Sequence, residues 1–327
     1  VAPATADLLA RAAHGLADDL LTNVLLTAHC PIVICPAMHT EMWEHPATQA
    51  NVATLRERGA IVLDPAVGRL TGADTGAGRL PDPPAIVSAV LDIARRGPAP
   101  QDLAGRQVVI SSGGTVEAWD PVRFLGNRSS GRQGVELART ALSRGARVTL
   151  VAGRMDVPPP AGAAVVRVGT AEEMRIAMHA AADAADVIVM AAAVADFRPV
   201  VEGEHKIKRG EVGHDIALPL AQNADILREL VDKRGSAARP LIVGFAAETG
   251  DAERDALTLG RDKLARKGCD LLVVNDVSGG QVFGQPTNEV VILGSDGSER
   301  AVPLADKAEV ADAIWNLVVR QLGLARA

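Results

Sequence analysis

The sequence predicts an α/β protein built on a Rossmann-like parallel sheet, and three observations carry that reading. Short runs rich in Val, Ile and Leu alternate with segments of helical period. Those runs are joined through helices rather than through tight turns, and they are apolar throughout, as strands covered on both faces must be. A glycine-rich turn, Ser111-Ser112-Gly113-Gly114-Thr115, follows the first strand of the longer, later part of the chain.

Taken in order, residues 4–28 read as one helix, with Leu8, Leu9, Ala12, Leu16, Leu20 and Val24 at steps of three and four. A strand at 32–35, a helix at 46–58 stopped by Gly59, and a strand at 61–63 follow. Residues 68–84, rich in Gly and Pro, read as a long loop, and 85–95 as a closing helix. Arg96-Gly97-Pro98-Ala99-Pro100 breaks the pattern and reads as a linker. It separates a first domain, 1–96, from a second, 103–327, with 97–102 between them. Alternation then restarts. Strands are predicted at 108–111, 147–152, 187–191, 241–246 and 271–275, and helices at 134–144, 171–184 and 252–267. No internal repeat is evident. The first residues, Val1-Ala2-Pro3-Ala4-Thr5, read as a strand end entering a helix, so a missing N-terminal piece is expected.

The chain has 327 residues, 48% hydrophobic and 23% charged, with a formal net charge of −6. A mildly acidic chain is not built for bulk affinity to nucleic acid, so any phosphate must meet a local cluster of donors. Cys30, Cys35 and Cys269 lack the number and spacing of a disulfide framework or zinc site, and free thiols fit a reducing cytoplasm. Cys30 and Cys35 both read as buried small hydrophobes. No apolar run approaches the roughly 18–20 residues of a membrane span, and the basic-then-apolar pattern of a signal peptide is not expected in this sequence. No membrane partner is expected.

Several segments carry chemistry. The Gly113-Gly114 turn lets backbone N–H groups approach a phosphate or carboxylate, although an ordinary tight turn has the same composition. The fingerprint G-x-G-x-x-G is absent, and the second strand ends Val151-Ala152-Gly153 with no acid to hold a ribose, which disfavours a nicotinamide cofactor. Asp120-Pro121-Val122-Arg123 precedes Asn127-Arg128-Ser129-Ser130-Gly131, a polar loop leading into a helix and suited to an anion or a polarised carbonyl. Ser129 or Ser130 as a helix cap is the simpler reading, but capping does not explain Asn127 and Arg128. After a buried strand, Ala191-Ala192-Ala193-Val194-Ala195-Asp196 supplies small residues at the carboxyl end of the sheet and an acid able to accept from a base or ribose. Lys206-Ile207-Lys208-Arg209 is a cationic cluster, and Lys263 and Lys267 share a helix face. Each cationic group, taken alone, reads by default as a solvated surface.

In this order, and joined by Asn223-Ala224-Asp225-Ile226, Val243-Gly244-Phe245-Ala246-Ala247-Glu248-Thr249 and Asn275-Asp276-Val277, these motifs closely resemble the ligase half of the bacterial bifunctional phosphopantothenoylcysteine decarboxylase/phosphopantothenate–cysteine ligase family. The resemblance covers nearly all of 101–327. It implies that the carboxylate of 4′-phosphopantothenate attacks the α-phosphate of CTP, giving an acyl-cytidylate and pyrophosphate, and that the amine of L-cysteine then displaces CMP to form the amide. Mg²⁺ is expected on the phosphates. By the same resemblance Asn127 stabilises the acyl-cytidylate and its reaction with cysteine, and Lys206 contacts the nucleotide phosphates. Asp196, Asn223, Ala224, Asp225, Ile226, Phe245, Lys263 and Lys267 match CTP-binding positions. Gly114, Ser130 and Ala192 fall to the phosphopantothenate side. Preference for CTP over ATP follows from the resemblance alone.

The first domain resembles the second half of the family's flavin-dependent decarboxylase, a flavodoxin- or Rossmann-like flavoprotein domain that is partial here. The matching residues are Ala2-Pro3-Ala4-Thr5-Ala6-Asp7, Pro36-Ala37-Met38-His39, Met42-Trp43, Pro46-Ala47-Thr48-Gln49 and Gly76-Ala77-Gly78-Arg79. Thr5 and Met38 then fall to FMN. Two residues depart from the pattern. His39 stands where the family's Asn binds the substrate carboxylate, and Gly72 stands where its reducing Cys lies. The first half of the decarboxylase, with its flavin-phosphate loop and catalytic His, is not in the sequence, so the expectation is that this chain does not decarboxylate. The resemblance further implies a homodimer of ligase domains and a larger homo-oligomer at full length. The competing readings are a nicotinamide-dependent reductase and a non-catalytic nucleotide- or flavin-binding module.

Overall fold

The structure is a computed structural model that describes residues 1–70, 75–96, 100–160, 162–206, 217–249, 254–277 and 284–324. It divides into two compact units, Val1–Gln101 and Asp102–Ala327.

In the first unit the expected single N-terminal helix is two helices, α1 (Ala6–His14) and α2 (Leu20–Thr27). Gly15 takes the left-handed conformation (φ 68°) and closes α1, and Asp19 with Thr22 forms a capping box that starts α2. Apolar periodicity ran through both and hid the break. The strand β1 (Val33–Ile34) leads to α3 (Thr40–Glu44) and α4 (Pro46–Glu57), and β2 (Ile61–Val62) pairs with β1 in parallel. The segment expected as a loop is a hairpin, β3 (Ala66–Arg69) and β4 (Thr75–Arg79), followed by α5 (Pro83–Arg96). Its glycines signalled turns, yet Gly76 and Gly78 are strand residues there because they lie against the 38–40 loop. A Cβ on Gly78 would sit 2.2 Å from the Met38 carbonyl oxygen, and one on Gly76 2.2 Å from Thr40 Oγ1.

The second unit is an eight-stranded sheet with helices on both faces. Its elements are β5 (Gln107–Ser112), a small hairpin of β6 (Val116–Ala118) and β7 (Phe124–Gly126), α6 (Arg132–Ser143), β8 (Arg147–Ala152), β9 (Ala164–Arg167), α7 (Ala171–Ala182) and β10 (Val187–Met190). A second hairpin of β11 (Phe197–Pro199) and β12 (Leu220–Gln222) comes next. It is followed by α8 (Ile226–Arg234), β13 (Leu241–Glu248), α9 (Ala256–Lys267), β14 (Leu271–Asp276), β15 (Thr287–Gly294), β16 (Glu299–Asp306) and α10 (Lys307–Gln321). The strand order is β16-β15-β14-β13-β10-β5-β8-β9. The five pairings from β14 to β9 are parallel, and β15 and β16 add an antiparallel edge that the sequence reading did not contain.

Strand residues alternate between two cores, as a period of two requires. Val108, Ile110, Val187, Val189, Leu241 and Val243 pack with Leu137, Ala141, Ile314, Trp315 and Val318 of α6 and α10. Val109, Ile188, Met190 and Ile242 pack on the other face with Met174, Met178, Ile226, Leu227 and Leu230 of α7 and α8. Trp315 donates its indole N–H to the Leu137 carbonyl at 3.0 Å, joining α10 to α6. No helix among the described residues is long and apolar enough to cross a membrane.

Candidate functional site

In open α/β sheets, ligands bind beyond the carboxyl ends of the strands, where the strand order reverses. Here that point lies between β5 and β10: the chain runs from β5 outward through β8 and β9, then returns to β10 on the other side. The loop after β5 and the loop after β10 are tied together across it. Gly114 bridges Ala193 and also pairs with Arg154 beyond β8. The Ala192 N–H donates to Ser111 Oγ at 3.1 Å, and the Ala195 N–H donates to Thr115 Oγ1 at 2.9 Å. Ser111 and Thr115 are fully buried, so these hydroxyls are committed to shaping the loop after β10. Gly113 has φ +83°, and a Cβ there would lie 2.4 Å from the Arg154 carbonyl oxygen; the turn therefore requires glycine on two counts.

Asn127, which follows β7, reaches into the same place. Its side-chain Nδ2 donates to the Val194 carbonyl at 2.9 Å. Asn223 does so from the opposite side, donating Nδ2 to the Ala195 carbonyl at 2.8 Å while its backbone N–H donates to the Asp196 carbonyl at 2.9 Å. Arg198 fixes Asn223 by donating to its Oδ1 at 2.9 Å. Gly114, Asn127, Ala192, Asp196 and Asn223, all singled out in sequence, thus converge on one loop cluster.

The remaining candidates divide. Ser130 is buried and its carbonyl accepts from the Asp156 N–H. Neither Ser129 nor Ser130 caps α6. The cap residue is Gly131 in the left-handed region, with no side-chain capping bond, so the simpler reading of these serines is set aside. Asp225 caps α8 by accepting from the Arg228 N–H at 3.1 Å, and it also pairs with Lys267. Lys263 pairs with Glu248 at 2.8 Å. Ile226 and Phe245 differ from the expected nucleotide contacts in where their side chains go: Ile226 is buried in one core and Phe245 packs on the other. Lys206 is exposed, and Ile207, Lys208 and Arg209 lie outside the described residues.

A cleft of about 680 Å³ adjoins this cluster, lined by Glu172, Arg175, Arg198, Gln222, Asn223 and Glu229 among others. Arg175 donates to Glu172 and holds its carboxyl below the usual carboxylate range. Arg198 stands two residues beyond the Ala191–Asp196 motif and received no task from the sequence. Glu172 and Arg175 carry no sequence signal beyond ordinary helix composition, because the sheet topology alone brings α7 to the β12–α8 loop.

In the first unit a cleft of about 360 Å³ is lined by Met38, His39, Arg69, Gly78 and Arg79. His39 is exposed at the start of α3, and Met38 is half-buried and donates its backbone N–H to the Gly78 carbonyl. Thr5 Oγ1 accepts from the Leu8 N–H as the cap of α1. Gly72 lies outside the described residues. Cys35 is buried as expected, but Cys30 is exposed because it follows the end of α2 rather than entering β1.

A doubly wound sheet with a polar loop cluster at its switch point defines an α/β protein of the class that binds its ligands at the carboxyl ends of the strands. Residues 103–322 match the family model described as DNA/pantothenate metabolism flavoprotein C-terminal domain, and residues 1–95 match the Flavoprotein model. The chain is 55% identical over 324 residues to the coenzyme A biosynthesis bifunctional protein CoaBC of Mycobacterium tuberculosis, covering 98% of this chain and 77% of the relative. It is 42% identical over 313 residues to the CoaBC protein of Bacillus subtilis, covering 95% and 74%. The solved C-terminal domain of a CoaBC protein superposes with a TM-score of 0.57 at 32% identity, covering 68% of this chain and 98% of that one. The chain belongs to the family of bifunctional CoaBC proteins of coenzyme A biosynthesis, its second unit being the phosphopantothenate–cysteine ligase domain and its first belonging to the flavoprotein decarboxylase domain.

Proposed function

We propose that the switch-point cluster ligates 4′-phosphopantothenate to L-cysteine at the expense of CTP, with Asn127 and Lys206 as its catalytic residues. The observation that carries this reading is the Asn127 side chain, brought from the β6–β7 hairpin to the loop after β10, between Gly114 and Asn223.

A carboxylate does not react with an amine at neutral pH, because its oxygen is a poor leaving group. In the first step a carboxylate oxygen bonds to the α-phosphorus of CTP and the bond to pyrophosphate breaks. In the second, the cysteine nitrogen bonds to the acyl carbon, the bond to CMP breaks, and the amine proton is lost. Both steps pass through states rich in negative oxygen, which fixed amide and ammonium donors stabilise. The Asn127 amide has a second N–H and a carbonyl oxygen beyond the bond it makes to Val194. Lys206 supplies a mobile ammonium for the phosphates. Asp196, Asn223 to Ile226 and Phe245 border the nucleotide, with Ile226 and Phe245 acting through backbone and packing. Lys263 and Lys267 exchange their carboxylate partners, Glu248 and Asp225, for the nucleotide. Gly114, Ser130 and Ala192 border the phosphopantothenate. Among the described residues no group of three or more His, Cys, Asp or Glu side chains is placed to hold a metal. Mg²⁺ therefore fits this site as a nucleotide-borne ion, kept on the phosphates with its own waters.

In the first unit, Met38 borders the cleft and would face FMN, which supplies the oxidation that loosens a carboxylate. The Thr5 hydroxyl accepts one cap bond and keeps its O–H donor and a second lone pair. The assembly proposed is a homodimer of ligase domains, which sedimentation at micromolar concentration tests.

The deciding assay mixes the chain with CTP, Mg²⁺, 4′-phosphopantothenate and cysteine, and measures pyrophosphate and amide, with ATP in parallel. CTP-dependent amide formation lost in both Asn127→Ala and Lys206→Ala supports the reading. Absence of product with both nucleotides rejects it.

A further inference from the structure

We propose that Asp120 is a positioning residue for the ligation, holding Asn127 and the segment that carries Lys206 in register; this rests on the ligase reading above. The Asp120 carboxylate is fully enclosed and accepts four hydrogen bonds within its own turn. Oδ1 takes the Val122 and Arg123 backbone N–H groups, each at 2.8 Å. Oδ2 takes Arg123 Nε at 2.9 Å and Nη2 at 2.5 Å. The guanidinium so fixed lies 4.3 Å from the centre of the Trp119 ring, within cation–π range. The backbone closes the turn again, with the Trp119 N–H donating to the Arg123 carbonyl at 2.8 Å.

Two chains of contact leave this turn. One runs back along β7 to Asn127, whose position follows directly from the pairing of β6 with β7. The other is the Trp119 carbonyl, which accepts from the Gly203 N–H at 2.9 Å, three residues before Lys206. Gly203 sits close: a Cβ there would meet the Trp119 carbonyl oxygen at 3.5 Å and Asp120 Cβ at 3.6 Å. The strand leading into the turn is clamped at every second residue. Thr115 Oγ1 accepts from Ala195, Glu117 Oε1 accepts from the Ala171 N–H at the start of α7, and Trp119 accepts from Gly203. Period two puts the Thr115 and Glu117 side chains on one side of the strand, and Trp119 adds its backbone carbonyl beyond them. The hairpin is thus a strut with Asn127 at its base and the Lys206-bearing segment held at its tip, and the carboxylate of Asp120 sets the shape of that tip. Displacements of about 1 Å in such a constellation cost on the order of 100-fold in rate.

The test uses the intact chain and follows the two half-reactions separately, pyrophosphate release in single turnover and amide formation from the preformed acyl-cytidylate. Burst amplitude counts active molecules. Asp120→Ala is expected to slow both steps about 10- to 100-fold per active molecule, with the KM for cysteine changed less than threefold. Asp120→Asn keeps the Oδ1 acceptor and is expected to recover part of the loss; it also carries the test where Asp120→Ala does not fold. In a Lys206→Ala background, Asp120→Asn should slow pyrophosphate release less than it does alone, because it acts through a residue already removed. A purely structural Asp120 would lower the thermal midpoint and the active fraction and leave both rates per active molecule unchanged, and that result overturns the inference while sparing the ligase reading. An unaltered chain that yields no pyrophosphate overturns both.

Discussion

The side-chain amide of Asn127 donates to the carbonyl of Val194 at 2.9 Å, joining the base of the β6–β7 hairpin to the loop after β10, the strand beside β5 in the sheet. This bond orients the amide without using its full capacity. Asn127→Ala is expected to leave pyrophosphate release within a few-fold of the unaltered chain and to lower amide formation about 100- to 1,000-fold, the usual effect of removing one fixed donor from a developing oxyanion. Rapid-quench measurement of the two products checks it. Equal loss in both steps would mean that Asn127 acts on activation instead.

Lys267 and Asp225 form an ion pair at the rim of the cluster, and Asp225 also caps α8. The two ends of the pair therefore predict different outcomes. On the proposed reading Lys267→Ala removes a charge-assisted contact to the nucleotide and should raise the KM for CTP about 10-fold or more, with the thermal midpoint changed little because a partly exposed pair contributes about 1 kcal/mol or less. Asp225→Ala should cost about 1 kcal/mol of stability through the lost cap. Calorimetry and steady-state kinetics on both variants separate the two contributions.

Arg144 closes α6 from a buried position, 1% exposed, and donates to Asp102 at 2.8 and 2.6 Å and to Asn316 at 2.9 Å. Arg144→Leu strands a partly buried carboxylate and an amide. It should cost about 3–5 kcal/mol, read from chemical denaturation of the second unit. Adding Asp102→Leu should return much of that loss, since the uncompensated charge is the larger part of it.

Burial pushes the Cys269 thiol up to about 11 from an ordinary 9.0, and desolvation also raises Cys35. Both favour the protonated thiol in the fold. The unfolded chain therefore binds fewer protons than the native one above pH 9, so the stability held by Cys269 is complete below pH 9 and is lost as pH rises to 11. At pH 8 a thiol reagent should modify exposed Cys30 first and spare Cys35 and Cys269 until unfolding. Peptide mapping after timed labelling checks this. Equal labelling of all three would contradict it.

Much of the second unit was legible in sequence because its strands are continuous apolar runs and its helices have clear starts. Val187–Met190 is buried at every position, and α7 opens with Thr170 and Glu173 in a capping box. The antiparallel edge was not legible. In β16 only Val302 is fully buried, and Glu299, Arg300 and Ala301 face solvent, so it lacks the apolar run that marked the central strands. The hairpin of β3 and β4 was read as a loop because its glycines are there for close approach to Met38 and Thr40, a reason that exists only in three dimensions.

The sequence by itself determined the class of sheet, the family, and the residue types of the site, because apolar period and the order of polar motifs are written along the chain. Tertiary structure alone decided what those residues face. It buried Ile226 and packed Phe245 on the core, paired Lys263 and Lys267 with Glu248 and Asp225, and brought Arg175 and Arg198 to one cleft. It also turned Asp120, an unremarkable acid in a motif, into the hub of a turn between Asn127 and Lys206. The physical reason is that strand order reverses between β5 and β10, so segments 67 to 81 positions apart meet at one end of the sheet, and no local pattern records which neighbours that reversal will supply.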